Sequence, residues 1–203
     1  MGNTNIKFWE RYAKLYKFVI EKSNKRLYEI LSLHAQRYLK KEDIVLELAC
    51  GSGQLTEPLS SKVEKWIATD LSKNMVNETE KRINNENVFF SVCDATKINY
   101  KDNSFDIVII SNALHIMPNP KKALNEIRRV LKKDGILIAP TFVFEGKVNK
   151  KMLWIAEKLG HHVFYKWNMK EYINLIENSN FIIQENLIVQ GNLQPSLLVV
   201  AKK

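Results

Sequence analysis

The chain has 203 residues, 45% of them apolar, and its 31 Lys and Arg outnumber its 22 Asp and Glu, for a net charge of +9. That length suits one α/β domain with a sizeable core and room for a small cap, and not two full domains. No apolar run approaches the ~20 residues that span a bilayer. Trp9, Glu10 and Arg11 interrupt the N-terminus where a secretory signal would be continuously apolar. The two cysteines, Cys50 and Cys93, are too few for a disulfide framework or a metal site and suit a reducing, cytoplasmic setting. A charge of +9 could serve nucleic acid or an anionic membrane. Only 6 of the 31 basic residues are Arg, however, and the Lys fall in scattered pairs such as Lys40-Lys41, Lys121-Lys122 and Lys132-Lys133. No Arg-rich stripe interleaved with aromatics stands out, so a solvated surface is expected.

Along the chain, residues 6–39 read as helix. Ile6, Trp9, Tyr12, Tyr16, Val19 and Ile20 recur at three and four, as do Leu27, Ile30, Leu31 and His34, with Ser23-Asn24 separating two helices. Strands are expected at 44–48, 65–69, 88–93, 105–111 and 135–141, alternating with helices at about 54–61, 72–84 and 120–132. Asn119 followed by Pro120 marks a helix start, and Asp134-Gly135 is read as its end and the turn into the next strand. Such alternation implies a parallel sheet with right-handed crossovers. The segment 145–168 holds a helix and an aromatic loop that fit no strand. Asn168 and Glu171 then resemble a capping pair for a helix to about residue 178. Two apolar strands at 181–190 and 193–202, joined by Gly191-Asn192, read as a closing antiparallel hairpin. The expected organisation is one domain, with a helical cap (1–40), a cofactor-binding core (41–142), a lid insertion (143–168) and a terminal helix and hairpin (169–203).

Residues 45–56, VLELACGSGQLT, give a short strand, a glycine-bearing turn and a helix start at Gln54. Gly51 and Gly53 remove Cβ atoms where backbone passes close to a ligand, and Asp70, ending the next strand, can accept from two ribose hydroxyls. An adenosine-containing cofactor is therefore expected. A nicotinamide unit would need a third glycine where Thr56 stands, and a P-loop would need Gly-Lys-Ser/Thr, which is absent. Glu47, four residues before Gly51, would repel a pyrophosphate and attract a cation.

Together with ATDLSKNM around Asp70, VCDATKI around Asp94, FDIVIISNALHIM and ALNEIRRVLKKDGILIAPTF, this stretch resembles the successive motifs of class I S-adenosylmethionine-dependent methyltransferases over residues 43–142. Within that class the likeness is to the group of quinone-biosynthesis C-methyltransferases and many small-molecule methyltransferases. The resemblance implies S-adenosylmethionine as cofactor and S-adenosylhomocysteine as product. It also implies an α/β fold: a Rossmann-like, seven-stranded, mostly parallel sheet with helices on both faces, a reversed C-terminal strand and an N-terminal helical lid. Carried over to this chain, it places Glu47 toward the cofactor's ammonium, with Ala49, Gly51 and Gly53 forming the turn beneath it. Ala49 stands where the family often has glycine. Asp70 would take the ribose hydroxyls, Leu71 and Met75 would pack on adenine and ribose, and Asp94 with the Ala95 amide would meet the adenine edge. Ser111 and Asn112 would lie under the methionine part, and Leu114 and His115 would line the transfer path. Read alone, Asp94 also fits a turn cap, Asn112 a strand-end polar group and His115 a packed histidine.

Methyl transfer needs alignment and dehydration first, and a base only where the acceptor must lose a proton. His115 is the expected catalytic base, at the sheet edge where ligands bind in open α/β folds, with His161 and His162 as second choices. Aromatics in the N-terminal helix (Phe8, Trp9, Tyr12, Tyr16) and behind the fifth strand (Phe142, Trp154, Phe164, Trp167) are expected to form a lid, with Tyr12 and Tyr16 reaching the cofactor. An apolar lid suggests a small, apolar or aromatic acceptor: a quinone precursor, a phenol or a lipid amine. The fourth strand ends in Ser111-Asn112-Ala113-Leu114, without Asn/Asp-Pro-Pro-Tyr, and no cysteine nucleophile follows it, so nucleic acid is disfavoured. The same basic, aromatic N-terminal helix would also suit peripheral contact with an anionic membrane. Two other readings stand beside the enzyme of small molecules: a non-catalytic binder of the sulfur cofactor and an RNA methyltransferase.

Overall fold

The computed structural model describes residues 3–145, 150–192 and 194–203; the side chains of residues 3, 4, 14–23, 150, 152, 153 and 156 lie outside that description. Its centre is one sheet of β1 (Ile44–Leu48), β2 (Lys65–Asp70), β3 (Val88–Val92), β4 (Phe105–Ile110), β5 (Leu131–Ile138), β6 (Thr141–Phe142), β7 (Ile182–Val189) and β8 (Ser196–Lys202). The strand order is β3-β2-β1-β4-β5-β8-β6, with β7 on the far side of β8. From β3 to β5 every pairing is parallel, while β8 runs antiparallel to β5, β6 and β7. The helices are α1 (Asn3–Ala35), α2 (Thr56–Leu59), α3 (Lys73–Glu80), α4 (Pro120–Val130), α5 (Lys150–Lys158) and α6 (Met169–Glu177). This is the expected mixed α/β sheet, with one strand more than the seven anticipated. Pro140 has no N–H to give β8, so the strand expected over 135–141 divides into β5 and β6.

Period-2 alternation sorts the strands onto two cores. Leu46, Leu48, Val108 and Ile110 face the layer of Ala123, Leu124 and Ile127 from α4 and Tyr172 and Ile176 from α6. Val45, Ile107, Ile109 and Trp66 face the layer of Leu27 and Leu31 from α1. β8 is buried at six of its seven positions because it lies inside the sheet, whereas β7 alternates as an edge strand.

α1 runs Asn3–Ala35 with a break at Asn24, whose backbone is non-helical (φ −120°, ψ 16°), so two helices meet where Ser23-Asn24 was expected to separate them. Two boundaries differ from expectation. α4 stops at Val130, and Leu131 enters β5 directly. Asp134 (φ 64°) and Gly135 form an irregularity inside β5, where the register to β4 shifts, and not the turn before it. A Cβ on Gly135 would stand 2.9 Å from the Lys132 carbonyl, so only glycine passes there without displacing backbone. The helix expected over 54–61 is short: α2 has one turn and then tightens to a 3-10 turn at Ser60–Lys62. The Asn168–Glu171 capping box is present, each side chain bonded to the other's backbone N–H.

Parallel strands β1, β2, β3 and β4 deliver their C-terminal ends to one edge of the sheet. Strand order reverses between β1 and β4, the place where an open α/β sheet leaves a crevice.

Candidate active site

The turn after β1 is built on left-handed backbone at Ala49 (φ 55°), Gly51 (φ 59°) and Gly53 (φ 86°). Ala49 holds this conformation with a Cβ attached, at a cost of roughly 1–2 kcal/mol that the surrounding bonds offset. Cys50 N–H donates to the Thr69 carbonyl (2.9 Å), Gly53 N–H to the Cys50 carbonyl (3.0 Å) and the Thr79 hydroxyl to the Gly51 carbonyl (2.7 Å). The amide of Gly51 is thereby aimed at β2, where it donates to Asp70 Oδ2 (3.1 Å), while Ser72 N–H donates to Asp70 Oδ1 (2.8 Å). Asp70 is thus held in one orientation by two backbone amides. Burial pushes its carboxyl up to about 6 against the pull of those amides.

Glu47 sits on the same face of β1 as Val45, so alternation places a carboxylate in an apolar layer, 2% exposed. Its Oε2 accepts from the Thr56 hydroxyl (2.5 Å) and from Trp66 Nε1–H (2.9 Å). Burial raises it to about 7, the two bonds opposing and the charge of Asp70 adding to the rise. Among the described residues no Lys or Arg forms an ion pair with Glu47 or Asp70, which leaves two buried carboxyls beside a cavity without a protein cation. Thr56, read in the sequence only as a missing glycine, is the hydroxyl that holds Glu47.

The cavity measures about 860 Å³ including its open mouth and lies at the β1–β4 crevice. Glu47, Ala49, Gly51, Asp70, Leu71, Met75, Ala95, Ser111 and Asn112 all line it, so most of the expected cofactor residues converge there. Gly53 stands behind the turn: a Cβ on it would meet Thr79 Cγ2 at 2.9 Å, so its glycine serves the packing of the turn on α3. Asp94 caps its own loop, its Oδ1 accepting from Thr96 N–H and the Thr96 hydroxyl (both 2.8 Å), while its neighbours Cys93 and Ala95 line the wall. Asn112, left-handed at φ 50°, donates from Nδ2 to the Tyr28 hydroxyl (3.3 Å), and its N–H donates to the Pro140 carbonyl (2.8 Å). Tyr28 also lines the cavity. The sequence did not single it out, since it belongs to the apolar stripe of α1 and only its hydroxyl tip marks it.

His115 is placed otherwise than expected. The chain after β4 turns through a 3-10 turn at Leu114–Ile116, which presents Ala113, Ile116 and Met117 to the cavity and turns Leu114 and His115 away from it. The His115 ring is 4% exposed, shares a 3.1 Å hydrogen bond with Thr141 Oγ1 and packs edge-on against Phe142. Burial holds it neutral, down to about 3, with His161 adding to the shift. It is the packed histidine that the sequence also allowed, because the tight turn rotates its side chain onto β6. His161 and His162 are likewise absent from the lining; His161 is held down to about 4 by burial and lies between Phe8 and Trp9 (ring centroids 5.3 and 5.2 Å).

The N-terminal helix covers the cavity. Ile6 and Trp9 line it, and Tyr12 packs instead on Phe8 (4.9 Å); the Tyr16 side chain lies outside the described residues. Asn5, 2% exposed, fixes this cover. Its Nδ2 donates to the carbonyls of Ile116 and His162 (both 3.0 Å), and its Oδ1 accepts from His162 N–H (2.7 Å). Asn74 on α3 donates to the Glu10 carbonyl (2.9 Å) on the other flank. Of the side chains expected to suit a membrane, Ile6 and Trp9 line the cavity, while Phe8 and Tyr12 are half-buried against each other.

A methyltransferase domain model matches residues 46–139. A ubiquinone/menaquinone biosynthesis C-methyltransferase of Hydrogenovibrio crunogenus is 35% identical over 138 residues, covering 64% of this chain and 51% of that protein. A demethylmenaquinone methyltransferase of Lactobacillus johnsonii is 36% identical over 104 residues, covering 48% of this chain and 43% of that protein. The chain spans about half the length of these relatives or less. In fold, a SAM-dependent methyltransferase of Thermotoga maritima superposes with a TM-score of 0.73 at 22% identity, over 97% of this chain and 99% of that one. Residues 46–139 therefore match a methyltransferase domain on a fold shared with SAM-dependent methyltransferases, a likeness that implies S-adenosylmethionine as cofactor, and the chain resembles the quinone-biosynthesis group.

Proposed function

We propose that the chain is a methyltransferase that uses S-adenosylmethionine to methylate a small apolar or aromatic acceptor of the quinone-precursor, phenol or lipid-amine class. The observation that carries the reading is one cavity lined both by two buried carboxyls without a protein cation and by the apolar side chains of Ile6, Trp9, Ala113, Ile116 and Met117. The residues fit the cofactor. Asp70 has lone pairs left for two hydroxyl donors beyond its two amides, Leu71 and Met75 offer an apolar flank, and Glu47 offers negative charge where a cation would be welcome. When bound, the cofactor supplies a methyl group already activated on a sulfonium.

The chain's own contribution is positioning and exclusion of water. Ile6 and Trp9 close over the crevice, Asn5 holds them there, and Asn112, braced by Tyr28 and the Pro140 carbonyl, fixes the floor at the end of β4. Alignment of this kind supplies up to ~7–11 kcal/mol. His115 keeps the floor rigid through Thr141 and takes no proton at neutral pH. The relatives named above favour quinone precursors among the acceptors. The test is transfer of labelled methyl from S-adenosylmethionine to a panel of demethylated quinols, phenols and lipid amines, beside calorimetry with S-adenosylhomocysteine and with NADH. Turnover with a quinol or phenol supports the reading. Tight binding of the sulfur cofactor with no turnover on any of them refutes the acceptor class and leaves a binding protein.

A further inference from the structure

Large apolar side chains are exposed together on one part of the surface, the inserted segment after β6. In α5 and the turn that follows, Lys151, Trp154, Ile155, Lys158 and Leu159 are all exposed, a spacing of i, i+3, i+4, i+7 and i+8 that puts them on one helical face. Trp154 is 59% exposed, Ile155 38% and Leu159 51%, and Phe164 follows at 46% in the loop. The Lys158 ammonium lies over the Trp154 ring at 5.7 Å, so charge and aromatic surface are interleaved on this face. Residues 145–170 contain six Lys against two Glu in the sequence, and one of those, Glu157, is paired with Lys166 at 3.6 Å. A solvated helix face would be polar here, and a buried one would carry no Lys at its centre.

We propose that this face docks on an anionic lipid bilayer. Tryptophan, isoleucine and leucine flanked by lysine make an interfacial helix: the apolar side chains enter the boundary of headgroup and acyl chain, and the ammonium groups meet lipid phosphate. Charge complementarity selects this occupant, since the patch is cationic on a chain of net charge +9. Nucleic acid would use Arg and stacking aromatics and would leave Ile155 and Leu159 without a role. The position of the patch fits as well. The same segment runs on through His161, packed on Trp9 of the cavity wall, and His162, bonded to Asn5, so the docking face adjoins the cover of the cavity. An apolar acceptor dissolved in the bilayer would then meet the cavity without crossing bulk water. The N-terminal helix, whose Ile6 and Trp9 line the cavity, is not the docking surface. Among the described residues no helix is long and apolar enough to cross a membrane, so the contact is peripheral.

The test is flotation of the full chain with vesicles of phosphatidylcholine alone and of phosphatidylcholine mixed with phosphatidylglycerol, at low and at physiological salt. The chain floats with the mixed vesicles and not with the neutral ones. Lys151→Gln with Lys158→Gln lowers the partition coefficient about tenfold or more, and so does Trp154→Ser with Leu159→Ser. Both pairs of substitutions touch exposed side chains outside the cavity lining, so affinity for S-adenosylhomocysteine stays unchanged and reports that the chain is folded. No flotation of the unmodified chain on the anionic vesicles at low salt overturns the proposal, as does flotation that the lysine pair leaves unchanged. Retention on polyuridylate in place of vesicles, lost in the same lysine variant, assigns the patch to nucleic acid and overturns it too. Flotation needs no turnover, so the result is independent of which acceptor the site methylates.

Discussion

Asp70, ending β2, and His115, in the turn after β4, show how differently two polar side chains can be used at one edge of a parallel sheet. Asp70 is buried yet aimed, its oxygens spaced by the amides of Gly51 and Ser72. Asp70→Ala should weaken S-adenosylhomocysteine binding by tenfold or more, from the loss of bonds worth roughly 1.5–3 kcal/mol to a charged acceptor, as measured by calorimetry. Unchanged affinity would remove Asp70 from the ribose site. His115 is buried and turned away, so His115→Ala should cost roughly 1–3 kcal/mol of stability in urea unfolding, by stranding Thr141 Oγ1 and opening a cavity beside Phe142. The same variant should keep turnover within about tenfold of the parent, less than the ~10²–10⁴-fold that loss of a general base removes. A larger loss of turnover at constant cofactor affinity would return the histidine to catalysis. The motif told which residue types stand at the strand ends. It did not tell which way the 3-10 turn at Leu114–Ile116 rotates them, because that depends on how the turn packs on β6.

At the scale of elements, the cover over the cavity is an association of three separate pieces. The side-chain amide of Asn5 ties the first turns of α1 to the loop after β4 and to the segment around His162, and those two also meet directly where Phe164 and Tyr165 N–H donate to the His115 carbonyl. Helical periodicity announced α1 and its kink, and Asn5 stands on the face of Trp9 and Tyr12, but a polar residue does not mark an apolar stripe and its local sequence does not name its partners. Its partners are backbone groups 111 and 157 residues away. Asn5→Ala should leave three backbone groups without this partner, of which the buried Ile116 carbonyl costs roughly 1–3 kcal/mol if it stays dry, and the cover is free to lift instead. The expected result is a faster release of S-adenosylhomocysteine, by about tenfold in stopped flow, with a small change in thermal midpoint. Equal release rates would show that Asn5 does not hold the cover.

Across the whole molecule, four buried ionisable groups set a pH response. Glu47 and Asp70 have folded-state values of about 7 and 6, above their ordinary ones, so the folded chain holds protons that the unfolded chain has lost between pH 4 and 7. Their contribution to stability is therefore present at low pH and lost as pH rises through 6 to 7. His115 and His161 have values lowered to about 3 and 4, so their contribution is present above pH 6.5 and lost as pH falls toward 4. The two trends oppose each other and flatten the stability of the free protein between pH 5 and 6.5. A cofactor bearing positive charge prefers both carboxyls ionised. Its affinity should rise between pH 5 and 8 with release of protons, which calorimetry in buffers of different ionisation enthalpy detects. Affinity that is level with pH would mean that neither carboxyl changes its proton on binding.

The alternation of strands and helices, the glycine turn, the acid at the end of β2 and the reversed last hairpin were all legible in the sequence. Each rests on a local rule: a side-chain period, a backbone conformation that few residues adopt, or a fixed spacing along one chain segment. From these follow the sheet and the edge on which its parallel strands open, while the resemblance to methyltransferase motifs implied that Glu47, Gly51, Asp70 and Asn112 stand together there, and all four line one cavity. Tertiary structure alone decided that Thr56 and Trp66 hold Glu47, that Tyr28 braces Asn112, that His115 looks away, and that Ile6 and Trp9 of α1 line the cavity while Trp154 of α5 is bare. Each of these depends on partners that only the folded chain brings together. Periodicity says that a helix has an apolar face, and only packing says what that face meets.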